Sequence, residues 1–305
     1  MKFLITIILI SLSAYTFGQI NEEDSSAQVI TYWNLDDGYD YTVSLQKIKL
    51  KGPDTTSNEI LTYDVDITVI DSTEDFYLVE WYYYNYQSNS TNEVLKKMIS
   101  LSDDLKVVIR IDEMGTIEGV ENWEEVSKFM KKSIDEIKNE LESIPNVDKL
   151  FNQIEEMYTS KEGIEAKSIV DAHQFHSFHG AKYTLGEVLE VSTEVANMYY
   201  PQKPFDCQLI ISLDEINIED NNYIIRSSQV VDSKQLTKTT FDYLKSMAKT
   251  MGAPEPNLSD IGELTNITTT AARIHGSGWP IYSIQTKTIE LSDSKTIEER
   301  IIEMK

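Results

Sequence analysis

The chain has 305 residues, with 51 acidic against 27 basic side chains and a formal charge of −24. Such a surface repels phosphate backbones and anionic headgroups, which speaks against nucleic acid as a partner and against electrostatic docking on an anionic membrane. Its one cysteine, Cys207, rules out an intramolecular disulfide, so stability must come from a hydrophobic core, which a chain of this length can build.

Residues 1–18 read as a signal peptide. Lys2 is a short charged start, Phe3 to Leu12 is apolar apart from Thr6 and Ser11, and Thr16 and Gly18 are the small residues before a cut at Gln19. The apolar run is short for the ~30 Å of a bilayer core, and no later stretch is long enough to span one. No cysteine follows it, so no lipid attachment is expected. The address implied is periplasmic or secreted, with residues 19–305 as a single α+β domain and 32–180 and 181–305 as possible sub-blocks.

Residues 20–31 are polar and read as a loose leader. Asp36-Asp37-Gly38 reads as a turn into a strand in which Tyr39, Tyr41, Val43 and Leu45 alternate with polar residues. Ile48 and Leu50 then change parity, which predicts a bulge near Lys47. Leu61, Tyr63, Val65, Ile67 and Val69 alternate with Thr62, Asp64, Asp66 and Thr68, the pattern of a sheet with one dry and one wet face. Phe76 to Tyr86 is an aromatic strand with Phe76, Tyr82, Tyr84 and Tyr86 on one parity. Leu105 to Ile111 and Thr116 to Gly119 complete an antiparallel meander.

At Glu121 the period changes. Trp123, Val126, Met130, Ile134, Ile137 and Leu141 make one helical stripe. A second helix is expected over 147–158 and a third over 162–178, stopped by Gly180. Strands follow at 183–195, 208–218 and 223–231, then a helix from Ser233. Residues 252–280 read as a long Gly/Pro/Asn/Thr-rich connection, a possible lid. Strands at 281–291 and 296–304 close the chain.

Helices grouped between hairpin-connected strands indicate α+β: a curved, mainly antiparallel, half-barrel-like sheet with helices on its concave face. In element order and export this resembles the half-barrel of periplasmic lipoprotein carriers and their anti-sigma-factor-regulator relatives. Phe175-His176-Ser177-Phe178-His179-Gly180, followed by Tyr183-Thr184-Leu185-Gly186-Glu187, is similar to a stretch in uncharacterised exported proteins of Gram-negative bacteria, which implies no site residues.

Three of the four histidines, His173, His176 and His179, have spacings at which neighbouring pairs could share a transition metal, and a tight turn before Gly180 could bring all three together. The alternative reading packs two of them against aromatics. Tyr82, Tyr84 and Trp279 are candidate ligand-binding aromatics. The acids around Gly38 fail the calcium-loop spacing. HExxH, GxSxG and phosphate-loop patterns are missing, so no catalytic residue or cofactor is named. The reading is an exported binding module for a hydrophobic small molecule. The alternatives are an envelope interaction or structural protein meeting an envelope protein, and a metal-binding protein or metalloenzyme using the histidines.

Overall fold

The computed structural model describes residues 19–140, 151–152, 155, 158, 160–197, 199–200, 202–251, 254–257 and 262–305. The leader at 1–18 and most of the helix expected over 147–158 fall outside them.

The described residues are 52% strand and 23% helix, an α+β fold with a large curved, mainly antiparallel sheet that does not close into a barrel. The first half contributes β3 (Gly38–Lys51), β4 (Asp54–Ser72), β5 (Phe76–Ser88), β6 (Leu105–Asp112) and β7 (Ile117–Val120). The second half contributes β9 (Val188–Val195), β10 (Phe205–Asn217), β11 (Asn222–Val231), β12 (Leu264–His275), β13 (Pro280–Leu291) and β14 (Ser294–Met304). The sheet order is β7-β6-β5-β4-β3-β14-β13-β12-β11-β10-β9, eleven strands. It is two meanders joined at the centre, where β14 runs antiparallel to β3 with Ile302 opposite Val43 and Arg300 opposite Leu45. Neighbours in sequence pair throughout each half, and the central pairing brings together strands from the two ends of the described chain.

Directly opposed residues of antiparallel strands share a face. Tyr41 and Val43, Tyr63 to Val69, Val79 to Tyr83, Leu105 to Ile111, Leu213, Ile225, Ala272 and Ile302 are all buried on one such face. Several elements lie over it. Helices α2 (Trp123–Glu140), α3 (Lys161–Ser168) and α4 (Val170–Phe175) cover the first meander with Val126, Met130, Ile134, Ile164 and Phe175. A three-stranded sheet of β1 (Ile20–Asn21), β2 (Ser26–Val29) and β8 (Ala181–Thr184) covers β10 to β12 through Ala27, Val29 and Tyr183. Helix α5 (Ser233–Met251) covers the far end of the second meander through Leu236, packed with Phe205, Val231 and Leu264. No helix among the described residues is long and apolar enough to cross a membrane.

Several sequence expectations change. The segment 20–31 is no loose leader, because Ser26–Val29 pairs with Ala181–Thr184. The connection expected over 252–280 contains β12, which sits between β11 and β13, so it is no lid. Thr265 and the run Thr268, Thr269, Thr270 are β-branched, and this suits a pleated strand despite their polarity. The helix expected over 162–178 breaks at Ile169, whose φ of −120° ends α3. The strand expected over 183–195 divides at Gly186 into β8 and β9, which lie in different sheets. The irregularity expected near Lys47 lies two residues on, at Lys49/Leu50 in the pairing with β4, and Ile48 faces Ile297 on the uncovered side. Tyr86 leaves the parity of Tyr82 and Tyr84, because Asn85 takes φ +59° beside a register shift and turns Tyr86 onto the covered face.

A candidate ligand-binding cleft beneath helix α1

After β5 the chain forms a short helix, α1 (Glu93–Ile99), which sequence periodicity did not reveal. Asn92 caps it, its side-chain oxygen accepting from the backbone N–H groups of Val94 (2.9 Å) and Leu95 (3.3 Å). Val94 and Met98 pack on the core, while Leu95 and Ile99 line an open space over the sheet. None of the seven residues is fully buried. The helix therefore leaves a cleft between itself and the sheet.

The outer lobe of the cleft is about 440 Å³. Its floor is Leu45, Leu61, Gln285 and Arg300, and its walls include Leu95, Ile99 and Val170. An inner lobe of about 250 Å³ adjoins it, sharing Leu45, Leu61, Ile99, Val170 and Arg300 and adding Tyr63, Tyr83, Tyr86, Met98 and Asp171. Apolar side chains from helix and sheet face one another across the outer lobe, while Lys47, Glu59, Lys287, Glu298, Glu299 and Arg300 put charge around them, so the site is amphipathic and of a size that suits a small molecule.

The polar groups at the inner end are organised. Arg300 Nε lies 3.0 Å from Asp171 Oδ1. Tyr63 donates its hydroxyl to Asp171 Oδ2 at 2.6 Å. Gln174, one turn along α4, donates to Ser283 Oγ (3.0 Å) and to the Arg300 carbonyl (3.2 Å), which fixes the helix over the β13–β14 seam. Burial pushes the Asp171 carboxyl up, with Arg300 and the Tyr63 hydroxyl pulling the other way. Tyr63 stacks on Tyr86 with centroids 4.6 Å apart. Among the described residues the buried Tyr83 hydroxyl has no hydrogen-bond partner.

Across the mouth of the outer lobe runs a row of charges on the covered face. Lys287 opposes Glu298, Glu298 opposes Lys47, and Lys47 opposes Glu59. Lys47 Nζ and Glu298 Oε1 are 2.5 Å apart. Partial burial would raise the Glu298 carboxyl, but Lys47, Lys287 and Arg300 together hold it below its ordinary value.

The aromatics named from sequence lie elsewhere. Tyr82 and Tyr84 stack on each other at 5.3 Å on the uncovered face, donating to Asp104 (2.7 Å) and Asp66 (2.8 Å). Trp279 is buried, stacked on Trp33 at 4.1 Å between the β12–β13 turn and the segment leading into β3. Neither set lines the cleft.

The histidines separate. His173 is exposed on α4, whereas His176 is buried and faces His179 with ring centroids 4.7 Å apart. Trp33 closes over both rings, at 5.8 and 6.3 Å. His179 Nε2 pairs with the Gly278 carbonyl at 2.9 Å. Gly278 has φ +88°, and a side chain there would strike the Ile30 carbonyl, so glycine is what lets that turn reach His179. Among the described residues no group of three His, Cys, Asp or Glu side chains could hold a metal ion.

No protein-family model matches the chain, and no curated protein matches it. Among solved structures the chain aligns with one described as "Lipid-protein interactions in lipovitellin", at 9% identity and a TM-score of 0.41. The alignment covers 89% of this chain and 25% of that one, so this chain spans about a quarter of its neighbour's length.

The cleft residues carry no joint signal in the sequence. Leu45 and Leu61 read as ordinary core positions, and Arg300 and Asp171 are 129 positions apart by their numbers. Only Asn92-Glu93 followed by Val94, Leu95, Met98 and Ile99 carried a local signal, that of a capped amphipathic turn.

Proposed function

We infer that this is a binding module for a small hydrophobic or amphipathic molecule, held between helix α1 and the sheet. The observation that carries the reading is the two-lobed cleft with apolar walls and a prepaired Arg300–Asp171–Tyr63 group at its inner end. An apolar guest gains roughly 25 cal/mol for each Å² of surface it removes from water. The paired inner group supplies orientation without an uncompensated charge. The cleft binds and positions, and no catalytic residue is assigned to it.

The test is titration with an uncharged naphthylamine probe whose fluorescence rises in apolar surroundings. Binding that Leu61→Trp abolishes, with the fold retained by circular dichroism, supports the reading. A probe that does not bind, or binds equally to the Leu61→Trp variant, overturns it.

The same reading places the mature protein outside the cytoplasm, on the strength of the leader at residues 1–18. Mass spectrometry of the exported fraction tests this: a chain beginning at Gln19 supports it, and a chain retaining Met1 in the cytosol removes it.

A further inference from the structure

The cleft reading leaves open what headgroup the guest carries. Resting on that reading, we propose that the guest is a single-chain zwitterionic amphiphile, a lysophospholipid bearing a phosphodiester and an ammonium group, with its acyl chain under α1 and its headgroup along the row Lys287, Glu298, Lys47, Glu59.

The row follows from strand register. Four consecutive strands, β13, β14, β3 and β4, place one charged residue each at opposed positions, in the order plus, minus, plus, minus. Strands are spaced ~4.8 Å apart, so unlike charges recur at that interval across the row. The row sums to zero in a chain whose total is −24. The parallel row beside it is Gln285, Arg300, Leu45, Leu61, which forms the floor of the outer lobe. A chain lying on that floor therefore brings its headgroup against the charges.

The alternation discriminates between headgroups. A carboxylate or phosphatidylglycerol-type headgroup meets Glu59 or Glu298 beside every lysine, within a strongly acidic protein. A cationic headgroup meets Lys47 or Lys287 beside every glutamate. A zwitterion satisfies both signs, because its phosphate and ammonium are separated by a few bonds, a length on the scale of one interstrand gap of ~5 Å. The existing Lys47–Glu298 pair does not prevent this. Both side chains are about 40% exposed, and ion pairs at such positions are weak in water, so they exchange readily for ligand contacts. The outer lobe, at about 440 Å³, suits one acyl chain better than two.

The experiment titrates the purified protein with three oleoyl compounds below their micelle concentrations: lysophosphatidylcholine, lysophosphatidylglycerol and uncharged monoolein. Lysophosphatidylcholine is expected to bind about tenfold more tightly than lysophosphatidylglycerol. Lys287→Glu is expected to weaken lysophosphatidylcholine about fivefold and monoolein by less than about twofold, and Glu298→Gln to narrow the gap between the two lysolipids. Equal binding of the two lysolipids, or a preference for the glycerol form, with monoolein still bound, overturns this inference and leaves the cleft reading standing. Failure of all three to bind brings down the cleft reading and this inference with it. Sedimentation of the protein with intact phosphatidylcholine vesicles would identify a membrane surface as the source of the headgroup and would also overturn the inference.

Discussion

Arg300 on β14 stands 3.0 Å from Asp171 on α4, and this contact ties the last strand of the chain to the helix that walls the cleft. Asp171 is 6% exposed, so removing it leaves a largely desolvated guanidinium and an orphaned Tyr63 hydroxyl. Asp171→Ala is expected to cost about 3–5 kcal/mol in urea denaturation. Replacing the whole group, as Asp171→Leu with Arg300→Met and Tyr63→Phe, is expected to recover most of that loss, because paired buried charges exchange for packed apolar groups at little cost. A triple variant as unstable as the single one would show that the group contributes more than mutual compensation.

The pair His176 and His179 makes stability depend on pH. Burial holds His179 down to about 4 and pushes His176 well below the ordinary histidine value, with His179 adding to that second effect. Both therefore take up protons in the unfolded chain, near pH ~6.5, before they do so in the folded one. The sign follows: stability is full above pH ~6.5 and falls as pH drops from there toward about 4. His179 accounts for a loss on the order of 2–3 kcal/mol, allowing for its partial exposure. His176→Phe is expected to hold or raise the midpoint at pH 7, since neither buried ring nitrogen has a well-formed hydrogen bond among the described residues, and to flatten the acid slope. Urea titrations at pH 7.5, 6 and 5 check both statements.

Trp33 and Trp279 join the segment before β3 to the β12–β13 turn. Their rings stack at 4.1 Å and both are buried. Trp279→Ala is expected to destabilise by about 3–5 kcal/mol and to remove most of the near-ultraviolet aromatic dichroism. Binding of the uncharged probe, measured where the variant remains folded, is expected to be unchanged, because Trp279 does not line the cleft.

Among the described residues strand β9 ends one edge of the large sheet, with β10 as its neighbour there. Val188, Leu189 and Val191 are 58%, 41% and 46% exposed, and the strand has no lysine, proline or register shift to guard its open side. Exposed apolar edges recruit other strands. Val191→Lys is expected to slow aggregation on heating several-fold, measured by light scattering, with the unfolding midpoint within about 0.5 kcal/mol of the parent.

The alternations of β3, β4 and β6 and the helical stripe of α2 were legible in the sequence. Each is a local period, and the buried side that it marks is the side the structure covers. The aromatic strand was legible as a strand but not face by face, because one left-handed residue, Asn85, changes which way Tyr86 points. Strand β12 was hidden by composition: its threonines are polar by count and strand-forming by shape.

What the sequence determined by itself was therefore the α+β class, the strand and helix periods and the acidic charge. These depend on residues within a few positions of one another. The cleft was decided by tertiary structure alone. It exists because β14 returns to pair with β3, which sets Arg300 beside Leu45 and Glu298 beside Lys47. That register is a contact between segments some 250 positions apart by their numbers, and no local pattern encodes it. The two tryptophans and the two inner histidines were likewise visible as residues, but only the fold decided that they would meet one another.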